Sequence, residues 1–316
     1  MVEEQVDDSN NYGTIRNTII EIEVGRSNNT FRRMMITLKQ PFFFNILIFL
    51  IILFVFIIFQ FWIVPTKRGF FCNDETIRYP FKPDTISASV LIISSILPNI
   101  LMVFWGETNN AFNKKNLRHY RGKKYIKIMF QIIGNFLWGL ILLCCFLNIV
   151  KVSVGRFRPY YLDVCKPDVL QNITCNDYNY ILNYTCTGKN IGLIREASLS
   201  FPSGHSAISF FGATFFFLYI QTRAHSLKKC YYLPSAFQFT AITLAVFTAV
   251  SRIFDYHHHP EDVAVGIIIG ILFGYYFFNY NMKFKKEKIM DEDDNDVEPS
   301  TEDLTQNLYD NNEMNV

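Results

Sequence analysis

The chain has 316 residues, of which 50% are hydrophobic, including 32 phenylalanines and 17 tyrosines. Its formal net charge of +2 conceals an asymmetry: residues 291–316 hold ten acidic and no basic side chains, and the remainder carries 30 basic against 18 acidic ones. No basic stripe accompanies a soluble recognition fold, so we exclude a nucleic-acid-binding protein. The long uninterrupted apolar runs are instead typical of a polytopic membrane protein.

Six apolar runs predict six transmembrane helices. In chain order they are 41–64, 85–105, 128–150, 206–220, 231–250 and 263–280. The first has no charged residue, and as a helix it would extend about 36 Å, enough to cross a bilayer with tilt. The sequence therefore predicts an all-α polytopic membrane protein, a six-transmembrane-helix bundle over residues 41–282.

Charges in the loops predict the topology. Basic residues crowd segments 107–127, 223–229 and 283–288, and such an excess marks the cytoplasmic side of a membrane. Six crossings then place both termini there, as a polar tail over 1–40 and an acidic tail over 283–316 that we expect to be disordered. The acidic N-terminus does not resemble a cleavable signal peptide, so we expect the first run to act as the targeting signal.

The longest loop, 160–201, falls on the exoplasmic side. It holds two glycosylation sequons, at Asn172 and Asn183, and we expect glycan on this loop. The exoplasmic loops hold four of the seven cysteines, which could pair in three ways. Local spacing favours a disulfide between Cys175 and Cys186.

Glycines recur every four residues on the sixth run, at Gly266, Gly270 and Gly274. Such spacing allows helices to approach closely. We favour packing within the chain over dimerisation, because a six-helix bundle offers many internal partners; a homo-oligomer stays an alternative.

Three polar motifs lie at the exoplasmic ends of the runs. The first, SRIFDYHHHPED, joins the fifth and sixth runs. If a helix begins near Pro260, Asp262 lies in its first turn and can fold back onto the imidazole of His258, which is the usual arrangement for a base or a nucleophile. Arg252 offers a planar fork of donors to an anion. By itself, this stretch could equally be a polar turn that joins two helices.

Two other motifs favour an anion site. In KVSVGRFRP, Lys151 and Arg158 are seven apart, so both cations share one face if the third helix continues to Pro159. In PSGH, Ser203 and Gly204 place backbone donors at a helix N-terminus.

Together K-x6-RP, PSGH and SR-x5-H-x3-D resemble the signature of the type 2 phosphatidic acid phosphatase superfamily. The flanks GRFRPYYLDVCKP, REASLSFPSGHS and SRIFDYHHHPEDV resemble its integral-membrane lipid phosphate phosphatase branch. The resemblance runs from about Gly106 to Gly274. It implies hydrolysis of phosphatidate, lysophosphatidate, sphingosine 1-phosphate or ceramide 1-phosphate at the exoplasmic face, without a metal or other cofactor.

The resemblance also implies roles for individual residues. His258 would be the nucleophile and form a phosphohistidine, Asp262 would orient it, and His205 would protonate the leaving alkoxide and then activate water. The phosphate-binding residues would be Lys151, Arg158, Ser203, Gly204 and Arg252.

Four other polar residues near the histidine motif do not occupy positions of the superfamily signature. We expect His257 and His259 to be exposed loop histidines, and Asp255 and Glu261 to be solvated.

Other functions stay open. They are a catalytically silent lipid-binding homologue, a transporter, and a phosphatase for glucose 6-phosphate or polyprenyl pyrophosphate. The membrane is either the plasma membrane or an internal one, with the active site extracellular or luminal.

Overall fold

The computed structural model describes residues 41–112, 118–171, 179–224 and 230–295. Within these ranges the chain is mostly helical and contains one two-stranded antiparallel sheet. The helices are α1 (Pro41–Ile57), α2 (Ala88–Phe112), α3 (Arg118–Val154), α4 (Tyr161–Cys165), α5 (Ile191–Ala197), α6 (Gly204–Thr222), α7 (Leu233–Phe254) and α8 (Pro260–Asn295). The strands are β1 (Phe70–Phe71) and β2 (Tyr180–Ile181).

Helix α1 belongs to the first of two compact units, which ends at Phe61. It has no charged residue, is apolar apart from Asn45, and continues into a π-helical turn, Ile58–Trp62. Most of its large hydrophobic side chains are exposed. A helix that is apolar on every side suits a hydrocarbon environment.

In the second unit α6 is the central helix, and it packs against α2, α3, α7 and α8. Phe211 and Phe215 on α6 meet Phe136 of α3, and Phe215 also meets Phe278 of α8. These rings form part of a buried core that continues along α6.

The glycines of α8 face α6. A β-carbon at Gly266 would collide with the carbonyl oxygen of Ser203, and one at Gly270 with that of Ala207. The predicted use of these small residues for packing within the chain is therefore confirmed.

A buried ion pair joins α2 to the C-terminal end of α6, the end away from the three motifs. Glu107, only 1% exposed, accepts hydrogen bonds of 2.6 Å from both Nε and Nη2 of Arg223, and one of 3.1 Å from the hydroxyl of Tyr219. This bidentate geometry is the strongest form of such a pair. We had predicted Arg223 as part of a short basic loop, but its side chain is buried in this ion pair.

The prediction of an all-α polytopic membrane protein is confirmed. Five helical segments in the described residues are long and apolar enough to cross a membrane: Phe43–Trp62, Ala88–Asn110, Ile126–Val154, Leu233–Phe254 and Pro260–Tyr280. The sixth predicted span corresponds to α6, which does not meet that criterion. The first turn of α6 is polar, and its buried face carries Ser206, Ser209 and Tyr219. These polar residues are accommodated because neighbouring helices of the second unit surround α6.

Two helix ends differ from prediction. Helix α3 stops at Val154, because Gly155 adopts a left-handed φ of +60° and lies too close to the Thr66 carbonyl for any side chain. Arg158 therefore lies beyond the helix, and the predicted helical face shared with Lys151 does not exist.

Helix α8 continues to Asn295, so residues 283–295 are helical, contrary to the predicted disorder. Lysine, glutamate and methionine are good helix formers, and no glycine or proline interrupts them. The predicted tail over 1–40 and residues 296–316 lie outside the described residues.

The predicted disulfide is wrong. Cys186 is bonded to Cys165, at the end of α4, whereas we had predicted Cys175 as its partner. Spacing along the sequence could not reveal that segments 165–168 and 185–188 run side by side, joined by hydrogen bonds such as Gly188 N to Cys165 O at 3.0 Å.

The structure tests other predictions for the exoplasmic loops only in part. Cys72, in the loop before α2, is also disulfide-bonded. Asn183 lies on an exposed stretch, whereas Asn172 and Cys175 lie outside the described residues. Glycosylation stays a prediction.

Candidate active site

The three motifs meet at one end of the second unit. The Lys151 ammonium, in the last turn of α3, donates a 2.9 Å hydrogen bond to the Leu199 carbonyl, just before α6. The Ser203 amide donates a 3.0 Å hydrogen bond to the Asp262 carbonyl, in the first turn of α8. The structure therefore brings together the predicted residues from three separate parts of the chain.

Ser203 and Gly204 begin α6 as predicted. Ser203 is the N-cap, and its hydroxyl accepts from the Ser206 amide at 3.4 Å and from the Ser206 hydroxyl at 2.9 Å. A β-carbon at Gly204 would lie 3.8 Å from Lys151 Cε, so the glycine backbone lies directly beside this cation.

Asp262 is fully buried and is held by donors on both oxygens. Oδ1 accepts from Arg156 Nη1 at 2.7 Å, and Oδ2 accepts from the Ser200 hydroxyl at 2.5 Å and the His259 amide at 3.1 Å. Sequence reasoning missed both Arg156 and Ser200. Arg156 is two residues from Arg158, and Ser200 is three from Ser203, so each lies within or beside a motif but not at one of its signature positions.

His258 does not bond directly to Asp262, contrary to our prediction. Its Nδ1 is 3.9 Å from Asp262 Oδ2, beyond hydrogen-bond range. The Ser200 oxygen lies 3.4 Å from Nδ1 and contacts the carboxylate on its other side. The link between carboxylate and imidazole therefore passes through a serine hydroxyl.

The environment of His258 favours the neutral imidazole. Burial lowers its pKa well below the ordinary value of 6.5, and the nearby cations Lys151 and Arg158 lower it further. A neutral ring retains a lone pair on one nitrogen, which a nucleophile requires.

Arg252 is fully buried at the end of α7. Its guanidinium donates to Asp84 Oδ1 at 2.5 Å and to Asp255 Oδ2 at 3.1 Å. Asp255 is itself buried and accepts from the amide and hydroxyl of Thr85, so our expectation that it is solvated is wrong. Asp84, from the loop before α2, had no sequence signal that marked it.

The two aspartates differ in accessibility. The side chain of Asp84 is 38% exposed and that of Asp255 only 8%. The buried carboxylate of Asp255 therefore orients the Arg252 guanidinium from within the protein, whereas the more exposed carboxylate of Asp84 contacts the same guanidinium near the solvent.

His257 is buried, which contradicts the predicted exposed loop histidine. Its Nδ1 lies 2.9 Å from Arg158 Nη1 and its Nε2 lies 3.1 Å from the Lys82 carbonyl. Because arginine only donates, Nδ1 must accept and Nε2 must carry the proton. Burial and the Arg158 charge also lower the pKa of His257, in agreement with a neutral ring that positions Arg158.

A turn of the backbone buries both neighbouring histidines. Tyr256 has a left-handed φ of +59°, and the amides of His257 and His258 both donate to the Arg252 carbonyl. His259 is also mostly buried, with Nδ1 3.3 Å from Asp262 Oδ2. Glu261, 69% exposed, is solvated as expected.

Two buried polar atoms of the site, Arg158 Nε and His205 Nε2, have no hydrogen-bond partner within the described part of the chain. Unpaired buried polar atoms are uncommon and indicate groups available to a ligand. Burial and the nearby charges of Arg252, Arg158 and Lys151 lower the pKa of His205 to about 4, and the charge of Asp84 partly opposes this shift. No group of three His, Cys, Asp or Glu side chains among the described residues is arranged to hold a metal ion.

Comparisons with known proteins identify the family. The PAP2 superfamily pattern matches residues 133–286. Phospholipid phosphatase 1 of Rattus norvegicus is 38% identical over 207 residues, covering 65% of this chain and 72% of the relative. Phospholipid phosphatase 1 of Mus musculus is 36% identical over 232 residues (71% and 81%), and phospholipid phosphatase 2 of Homo sapiens is 34% identical over 208 residues (66% and 71%).

No solved structure matches the chain significantly. The matched region contains Lys151, the PSGH turn and the histidine turn that meet in the site. The chain belongs to the PAP2 superfamily and, within it, to the lipid phosphate phosphatase branch.

Proposed function

We propose that this protein is an integral-membrane lipid phosphatase that hydrolyses phosphomonoesters at the exoplasmic face. The observation that carries the proposal is the convergence of Lys151, Arg158 and Arg252 around the buried, neutral His258. A phosphomonoester carries nearly two negative charges, and such a set of cations can stabilise the charge that spreads over its oxygens during transfer. The names of its relatives support a phospholipid substrate.

The orientation of His258 supports covalent catalysis. A proton on Nδ1 can be donated to the Ser200 oxygen, which leaves the lone pair on Nε2 for attack. The Ser200 hydroxyl donates in turn to Asp262, whose carboxylate stabilises the imidazolium that attack creates. In this step the bond between Nε2 and phosphorus forms, and the bond between phosphorus and the ester oxygen breaks.

His205 manages the protons. The negative charge of a bound phosphate raises the pKa of His205 and favours its protonated form. That form donates a proton to the departing lipid alkoxide, which is too basic to leave unaided. The neutral ring then takes a proton from a water molecule, the resulting hydroxide attacks phosphorus, and the bond between phosphorus and Nε2 of His258 breaks. Inorganic phosphate leaves and both histidines return to their starting states. The unpaired Nε2 of His205 supports this assignment.

Asp84 has a role before the substrate arrives. Its carboxylate contacts Arg252 Nη1, a position suited to a substrate oxygen. We infer that the phosphate displaces Asp84, whose partial exposure lets it turn to solvent, while Asp255 continues to orient the guanidinium.

The sequence of the loops supports the exoplasmic location of the active site. Asn183 lies in the segment between α3 and α6 that leads to the site, whereas the basic residues crowd sequence segments that border the opposite ends of the apolar runs. Endoglycosidase should therefore increase gel mobility, and Asn→Gln changes at Asn172 and Asn183 should abolish the shift. Protection of either terminus from a cytosolic protease would contradict this topology.

Phosphate release tests the function. Purified protein is given phosphatidate, lysophosphatidate, sphingosine 1-phosphate and ceramide 1-phosphate, beside glucose 6-phosphate and a polyprenyl pyrophosphate, all with EDTA. We expect release from the lipid monoesters, near-background release by the Arg252→Ala variant, and wild-type rates for Arg68→Ala, an exposed control. No release from any lipid monoester would instead favour a silent lipid-binding homologue.

A further inference from the structure

A groove of about 580 Å³ lies between α2, α6 and α7. Helices α2 and α7 both pack on α6, and small residues of α6, Gly212 and Ala213, form the floor between them. Leu101 and Leu244 line the groove and are themselves more than half exposed. The groove is therefore open toward the side on which lipid surrounds the helices.

The groove begins just below the candidate site. Ser209 lines it one helical turn from His205 on α6, and Thr248 lines it one turn from Arg252 on α7. Residues four apart on a helix lie on the same face, about 6 Å apart along the axis. From Thr248 the lining on α7 continues to Leu233, about 22 Å further from the site.

Most of the groove wall is apolar; Asn99 also lines it, and the Oδ1 atom of Asn99 has no hydrogen-bond partner among the described residues. The hydroxyls of Ser209 and Thr248 donate to carbonyls of their own helices, at 3.1 and 2.9 Å. Their hydrogen-bonding capacity as donors is therefore already used. A hydrocarbon chain can pass these positions without leaving a donor unpaired.

We propose that the groove holds one hydrocarbon chain of the lipid phosphate whose headgroup occupies the site. This inference rests on the proposed function. Three features favour that occupant: the groove starts beneath the cations that would bind the phosphate, it runs along the helices as a lipid chain does, and it opens to the bilayer. A chain that comes from lipid gains little hydrophobic energy. The groove therefore selects by fit, so bulk added at a given depth should disfavour the chains that are long enough to reach it.

Two substitutions at different depths test this selection. Ala245→Leu and Ala241→Leu both narrow the groove, and Ala241 lies one turn, about 6 Å, further from the site. Ala236→Leu is the matched control, because Ala236 is exposed on α7 and does not line the groove. Each variant is assayed against single-chain lipid phosphates of increasing length in detergent micelles, and kcat/KM is divided by the wild-type value for the same lipid.

We expect a ratio near one for chains too short to reach the new side chain. For longer chains the ratio should fall on the order of tenfold, the effect of overfilling a packed site. The fall should begin at a shorter chain for Ala245→Leu than for Ala241→Leu. Ala236→Leu should show no fall at any length.

An aryl phosphate without a chain separates this inference from the proposed function. All three variants should hydrolyse it at the wild-type rate. Wild type that cleaves neither lipid nor aryl phosphate would overturn the proposed function and the inference with it. Wild type that cleaves both, with chain-length ratios that are flat in the two groove variants or equal to those of Ala236→Leu, would overturn the groove assignment alone.

Discussion

The Ser200 hydroxyl lies between Asp262 and His258, and its removal tests whether the carboxylate acts through it. Ser200→Ala deletes the 2.5 Å bond to Asp262 and the 3.4 Å contact with His258 Nδ1. A hydrogen bond to a charged group contributes about 1.5–3 kcal/mol. Asp262 keeps its bonds from Arg156 and His259, so we expect the lower value, which corresponds to roughly a tenfold slower phosphorylation of the enzyme.

The rate of the first nitrophenolate burst from nitrophenyl phosphate measures that step. Ser209→Ala is the matched control, because it also removes a buried serine hydroxyl, but one that bonds only to the Ser206 carbonyl. Ser209→Ala should leave the burst rate unchanged.

A double-mutant cycle separates positioning from general destabilisation. If Ser200 acts through Asp262, the double variant Ser200→Ala/Asp262→Asn should be no slower than Asp262→Asn alone. Additive losses, or a burst rate in Ser200→Ala equal to that of wild type, would refute the serine link.

Three further predictions concern the charges of the site. Arg158→Lys keeps the charge but loses the planar fork that contacts His257, so kcat/KM for a lipid phosphate should fall about tenfold or more; a wild-type value would contradict phosphate binding by Arg158. Asp84→Asn should weaken the competition for Arg252, and the inhibition constant of inorganic phosphate should fall two- to fivefold, the effect of a partly exposed ion pair; weaker inhibition would contradict displacement. Because the pKa of His258 is lowered, protonation inactivates it only at lower pH, so the burst rate should persist as pH falls through 6.5; an acid midpoint above 6.5 would contradict a neutral buried nucleophile.

Motif spacing predicted which residues meet, because those positions belong to short segments at the ends of predicted helices. Lys151, Ser203, His258 and Asp262 all lie where the three segments touch. Apolar run length likewise predicted the helices, since a bilayer sets the length of a span.

The partners of these residues could not be predicted, because they depend on how the turns fold. The left-handed conformation of Gly155 ends α3 early and positions Arg156 to donate a hydrogen bond to Asp262. The left-handed Tyr256 turns His257 inward, where the run of three histidines had suggested solvent. Asp84 reaches Arg252 across 168 positions of sequence, a distance over which no local pattern carries information.

Trapping of a phosphoenzyme tests the central claim most directly. Wild type, His205→Ala and His258→Ala are mixed with labelled aryl phosphate, a substrate whose good leaving group needs little proton donation. His205→Ala should accumulate label that is acid-labile and base-stable, as a phosphoramidate is, because it forms the intermediate but lacks the base that activates water. His258→Ala should accumulate none. Label trapped on His258→Ala, with none on His205→Ala, would contradict the assignment of His258 as the nucleophile.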